Sequence, residues 1–105
     1  MAALQLGYAH AQILSPVKWT TGVEQTKPGE ATLVMTAHVD KDWHIYSQHT
    51  PDGGPLPMVF TFEPDKNYEL VGKVEEPKPY KYFDETYQVN ILSFEGVVVM
   101  RQKVK

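Results

Sequence analysis

Four histidines are the side chains here whose ordinary pKa lies near neutrality. His10 lies in an uncharged N-terminal stretch. His38 and His44 read as outward-facing residues of adjacent strands, and His49 opens a loop rich in proline and glycine. With Asp40 or Asp42 they offer imidazole and carboxylate ligands for copper or zinc. No short metal spacing of the H-E-x-x-H kind accompanies them. The alternative is that these histidines simply face solvent and hold no metal. Carboxylates come in adjacent pairs at Glu75-Glu76 and Asp84-Glu85. Neighbours on a strand point to opposite faces, which is poor geometry for acid/base catalysis. Glu75-Glu76 sits among lysines and prolines and reads as a solvated loop. The sequence has no nucleophile elbow, phosphate loop or dinucleotide fingerprint. It also has no cysteine, so thiolate nucleophiles, disulfides, cysteine-zinc sites and iron–sulfur clusters are excluded for this chain. Neither a catalytic constellation nor a cofactor is expected.

The remaining chemistry is recognition. Tyr80, Tyr82, Phe83 and Tyr87 gather around Asp84-Glu85 in a stretch bounded by proline. Aromatics with a few acids form a recognition surface for protein, peptide or glycan. The alternative is that two of the four belong to the core and the others lie at a sheet edge.

The elements that would hold these residues are strands. Val, Ile, Thr and the aromatics supply 35 of 105 residues, the types that fit a pleated, half-buried surface. Val17, Trp19, Thr21 and Val23 share one face of a first strand. Ala31, Leu33, Met35, Ala37 and Val39 alternate with Thr32, Val34, Thr36 and His38 in a second. Trp43 and Ile45 face inward on a third, with His44 and Tyr46 opposite. Met58, Phe60 and Phe62 alternate with Val59, Thr61 and Glu63 in a fourth. Tyr68, Leu70 and Val74 mark a fifth, with Gly72 as a bulge. Residues 87–94 and 97–104 make the last two, joined at Glu95-Gly96 as a tight hairpin. Val98, Met100 and Val104 read as the last strand's core face, opposite Arg101, Lys103 and Lys105. Seven short strands separated by turn signals predict an all-β, immunoglobulin-like antiparallel β-sandwich.

The length suits one domain, assigned to residues 12–105. Residues 1–11 end in Ala9-His10-Ala11, the small-x-small triplet of a signal-peptide cleavage site with Gln12 as the mature N-terminus. That makes the protein periplasmic or otherwise exported. The net charge of −3 argues against nucleic acid as the main partner. No apolar run approaches the roughly 18 residues of a membrane span. The last strand ends at Lys105 without a closing turn, which predicts an open edge, met either by a second copy in a homodimer or by further chain in a longer protein.

A resemblance adds to this reading. Trp43-His44-Ile45-Tyr46-Ser47-Gln48, Gly53-Gly54-Pro55-Leu56-Pro57 and Val59-Phe60-Thr61-Phe62 occur in that order. Val71-Gly72-Lys73-Val74-Glu75-Glu76-Pro77-Lys78-Pro79, Asp84-Glu85-Thr86-Tyr87 and the opening Val17-Lys18-Trp19 accompany them. Together, over residues 16–105, they resemble the N-terminal periplasmic domain of DsbD-type thiol:disulfide interchange proteins, the disulfide bond corrector family. The resemblance implies an immunoglobulin-like sandwich in the exported space. In that family a cysteine pair on a late hairpin passes electrons from a membrane-linked donor to disulfide-carrying clients, shielded by a cap loop. The cap corresponds by motif to Phe83, Asp84, Glu85 and Tyr87, with the strand bearing Trp43, His44 and Tyr46 near it. These seven are the partner-binding residues the resemblance implies, for a thioredoxin-like or membrane-domain partner. The family's cysteines are missing. The expectation is a redox-inactive docking module, either a piece of a longer disulfide reductase or a cysteine-free relative. The alternatives are a free-standing glycan- or peptide-binding module and a metal-binding module.

Overall fold

The structure, a computed structural model, describes residues 15–105. The expected leader at residues 1–11 and its junction at Gln12 lie outside them. Among the described residues there are seven strands and no helix: β1 Val17–Lys27, β2 Glu30–Val39, β3 Ile45–Tyr46, β4 Leu70–Glu75, β5 Tyr80–Asp84, β6 Val89–Phe94 and β7 Val97–Val104. They form two antiparallel sheets, one ordered β1-β2-β7-β4 and the other β3-β6-β5. Four strands over three is the layer pattern of antibody constant domains. The order differs from theirs. The seventh strand occupies the inner place that the fifth holds there, and the fifth lies at the edge that the seventh holds there.

Local chemistry sets the first hairpin. Pro28 followed by Gly29 at φ 81° meets the demands of a type II turn between β1 and β2. Register then places the apolar rows side by side. Trp19, Ala37 and Val98 fall in one row, and Thr21, Met35 and Met100 in the next. Ala37, Val39, Val74, Val98 and Met100 from the larger sheet bury against Phe94 of the smaller one, with Val17, Met35, Ile45, Met58, Phe60 and Phe62 packed around them. Gln102 also points into this interior and is 1% exposed. Its Nε2 donates to the carbonyls of Val71, Gly72 and Lys103 at 3.2, 3.3 and 2.9 Å. Two of those carbonyls lie where the β4–β7 register shifts, beside Gly72 at φ 72°. The expected bulge is present, and a buried amide satisfies it.

Four sequence expectations are corrected. Residues 58–62 are not a strand, although Met58, Phe60 and Phe62 do turn inward and Val59 and Thr61 do face solvent. Alternation reports which side chains are covered; Pro55, Pro57 and Pro64 bracket a backbone that joins no ladder. The seventh strand comes instead from residues 80–84. Glu95-Gly96 is not a hairpin turn, because β6 and β7 belong to different sheets and the dipeptide carries the chain between them. Gly96 makes the crossing at φ 74°, and its carbonyl accepts from the Val39 amide at 2.8 Å. Finally, β7 is no open edge. It pairs with β2 on one side and β4 on the other, and Lys105 exchanges backbone bonds with Glu69. A homodimer through that strand has no free ladder to use.

Candidate functional site

The smaller sheet carries the aromatic residues, and register sorts them. Ile45 pairs with Phe94, and both face the core. Tyr46 pairs with Ser93, which pairs with Tyr80; Tyr82 pairs with Ile91, and Asp84 with Val89. Side chains alternate across a strand, so Tyr46, Tyr80, Tyr82 and Asp84 share the outer face. The Tyr80 and Tyr82 rings lie 5.9 Å apart, tilted by 40°. Tyr80 is 71% exposed and Tyr82 37%. Desolvation by burial raises the Tyr82 hydroxyl pKa above its ordinary value, and Tyr46, Asp84 and Tyr80 push the same way. On the same face, flanked by these tyrosines, Ile91 and Ser93 are buried, and the Ser93 hydroxyl has no hydrogen-bond partner among the described residues. β5 is also an edge strand, so the tyrosine face borders a row of unpaired backbone groups.

A polar clamp holds the exit of β3 in place. The Ser47 hydroxyl donates to the Glu76 carboxylate and accepts from the His49 amide at 3.0 Å. Gln48 Nε2 donates to the Val74 carbonyl at 2.8 Å. The Ser47 amide and the Thr50 hydroxyl both donate to the Leu92 carbonyl, at 2.9 and 3.0 Å. Glu76 is therefore a half-buried tie between the sheets' connections rather than a solvated loop residue. Farther along, a Cβ at Gly54 would sit 2.9 Å from Val89 Cγ2 and 3.9 Å from the Tyr87 side chain. The glycine lets this loop close onto the β5–β6 turn.

The seven residues named from sequence do not form one cluster. Trp43 and His44 lie where the chain enters β3. Trp43 is exposed, its amide donating to Asp40 at 3.0 Å, and His44 Nε2 is 3.1 Å from the Glu95 carboxylate. Phe83, Asp84, Glu85 and Tyr87 lie at the opposite end of β6. Five residue steps along β6 separate the two ends, roughly 17 Å at the rise of a strand. Tyr46 stands between them on the outer face. Phe83 points to the opposite face and is exposed, because the larger sheet does not cover it. Asp84 accepts from the Tyr87 amide at 2.9 Å and its carbonyl from Gln88 at 2.7 Å. It shapes the turn in which Gln88 takes φ 60°. The residues that do converge, Tyr80 and Tyr82 with Tyr46, carried a period-two signal in a stretch whose prolines spoke for a loop.

The histidines are not brought together either. His38 pairs with Lys18 and Val97 in the larger sheet, while His44 enters the smaller one, so they are not cross-strand neighbours. Among the described residues no group of three His, Cys, Asp or Glu is placed to hold a metal ion. No helix of the described residues is long and apolar enough to cross a membrane. Comparison with family models, curated proteins and solved structures finds no match to this chain.

Proposed function

We propose that the chain is a protein-docking module of an exported protein, engaging its partner on the outer tyrosine face of the smaller sheet and the adjoining edge of β5. The observation that carries this reading is the convergence of Tyr46, Tyr80 and Tyr82 on one face beside an unpaired strand edge. Tyrosine gives a large apolar contact with a polar tip at low entropic cost, which is why interfaces are rich in it. A free edge adds main-chain hydrogen bonds for an extended segment of the partner. The order of sequence motifs supports kinship with the N-terminal domain of DsbD-type thiol:disulfide interchange proteins, and hence a thioredoxin-like or membrane-domain partner. The Ala9-His10-Ala11 triplet supports export. Disulfide exchange needs a thiolate, and this chain has no cysteine, so the part left to it is docking.

The test is a titration of the isotope-labelled chain with a thioredoxin-like domain, read by NMR. Resonances of β3, β5 and β6 shift, and Tyr80→Ala or Tyr82→Ala weakens binding by about tenfold or more. Unmoved resonances in these strands at saturating partner would sink the proposal. A second reading rests on the tilted Tyr80–Tyr82 pair with Asp84 on the same face, which suits a sugar ring and its hydroxyls. Signal on a glycan array that disappears in the same two variants would favour it.

A further inference from the structure

We infer that β1 is a self-pairing edge, through which two copies of this chain join their larger sheets antiparallel with Thr21 on the two-fold axis. Among the described residues, each of the other three edge strands is less suited to pairing with a second copy of itself. β3 has two residues, and the clamp around Ser47 follows it. β4 is interrupted by the shift at Gly72. β5 has five residues and is preceded by Pro77 and Pro79. β1 alone is long, 11 residues, and its register with β2 runs without a break from Val17 to Gln25. A long regular edge is a template for another strand.

The side chains of β1 specify which strand. Its inner face, Val17, Trp19, Thr21 and Val23, looks toward the core but extends beyond the smaller sheet. Trp19 meets Phe60 edge-on with ring centroids 6.4 Å apart, yet remains 43% exposed, and Val23 is 67% exposed. A shallow groove bordered by Trp19, Thr21, Met35, Met58 and Phe60 stays open there. Its outer face carries Lys18 and Glu24, neither of which is in an ion pair among the described residues. With Thr21 on the axis, Lys18 lies opposite the partner's Glu24, and Glu24 opposite the partner's Lys18. On the inner face Trp19 lies opposite the partner's Val23, so each copy's two exposed apolar residues are covered by the other's. One register thus satisfies both faces, each pair twice, as an isologous interface requires. β1 belongs to the larger sheet and the tyrosine face to the smaller one, so this pairing leaves that face free.

Sedimentation equilibrium of the chain at roughly 100 μM is the test. The wild-type chain sediments as a dimer. Lys18→Glu and Glu24→Lys each oppose like charges at two places and raise the dissociation constant by about tenfold. Mixing the two variants in equal amounts restores the dimer, because each chain then meets its complement. A monomeric wild type overturns the inference. So does a dimer indifferent to either reversal, or a mixture that dissociates like the single variants.

Discussion

Among the described residues, Tyr82 is the group whose ionisation the fold clearly perturbs. Burial makes its phenolate unfavourable, and Tyr46, Asp84 and Tyr80 add to the effect. Below the ordinary tyrosine pKa of 10.0 both folded and unfolded chains carry the neutral hydroxyl, and stability is unaffected. Above it the unfolded chain ionises first, so the folded state loses stability as pH climbs toward the raised value. Tyr82→Phe therefore flattens the decline of the urea midpoint above about pH 10 while leaving the midpoint at neutral pH little changed. A decline of equal steepness in both proteins would refute this placement of Tyr82. Its neighbour Ser93 had no sequence signal: a serine between apolar residues shows neither its burial nor its missing partner until Tyr46 and Tyr80 flank it.

Among the elements, β7 and β4 depend on one side chain. Gln102 lies on the row with Val98, Met100 and Val104, where alternation calls for an apolar residue. The amide is tolerated because three carbonyls accept from it. Gln102→Leu keeps the bulk and removes those bonds, so it should cost about 1–3 kcal/mol in chemical denaturation. Amide exchange should quicken across Leu70–Glu75 first, while the β1–β2 hairpin stays protected. Equal exchange in both regions would place the bulge's support elsewhere. Punctuation that acts locally was legible in sequence: the Gly72 bulge stands where it was expected, and Pro28-Gly29 and Asp40-Lys41-Asp42 turn the chain by the same local chemistry. The partner of each strand was not legible, since a ladder is made with residues far away in the chain.

As a whole, the described residues share one small core between both sheets, with Met100 fully buried within it. Met100→Ala leaves a cavity that the surrounding strands close only in part, at a cost of about 2–5 kcal/mol. Because Phe94 of one sheet and Val98 of the other meet in the same cluster, the loss is shared. Tryptophan fluorescence and far-ultraviolet circular dichroism should still report a single, coincident transition at lower denaturant. Two separated transitions would show that the sheets fold independently.

The sequence alone determined the all-β class, the inward rows of β2 and β7, and the exclusion of thiol chemistry. Each follows from local composition or from the two-residue period of an extended chain. It also determined which side chains of residues 58–62 turn inward, but not that their backbone would stay unpaired. Tertiary structure alone decided that β7 is interior and β1 an edge, and that Glu95-Gly96 bridges two sheets. It separated Trp43 and His44 from Phe83–Tyr87 and assembled Tyr46, Tyr80 and Tyr82 instead. Strand order and register arise from packing between distant segments, and a repeat of two specifies a face without naming the neighbour.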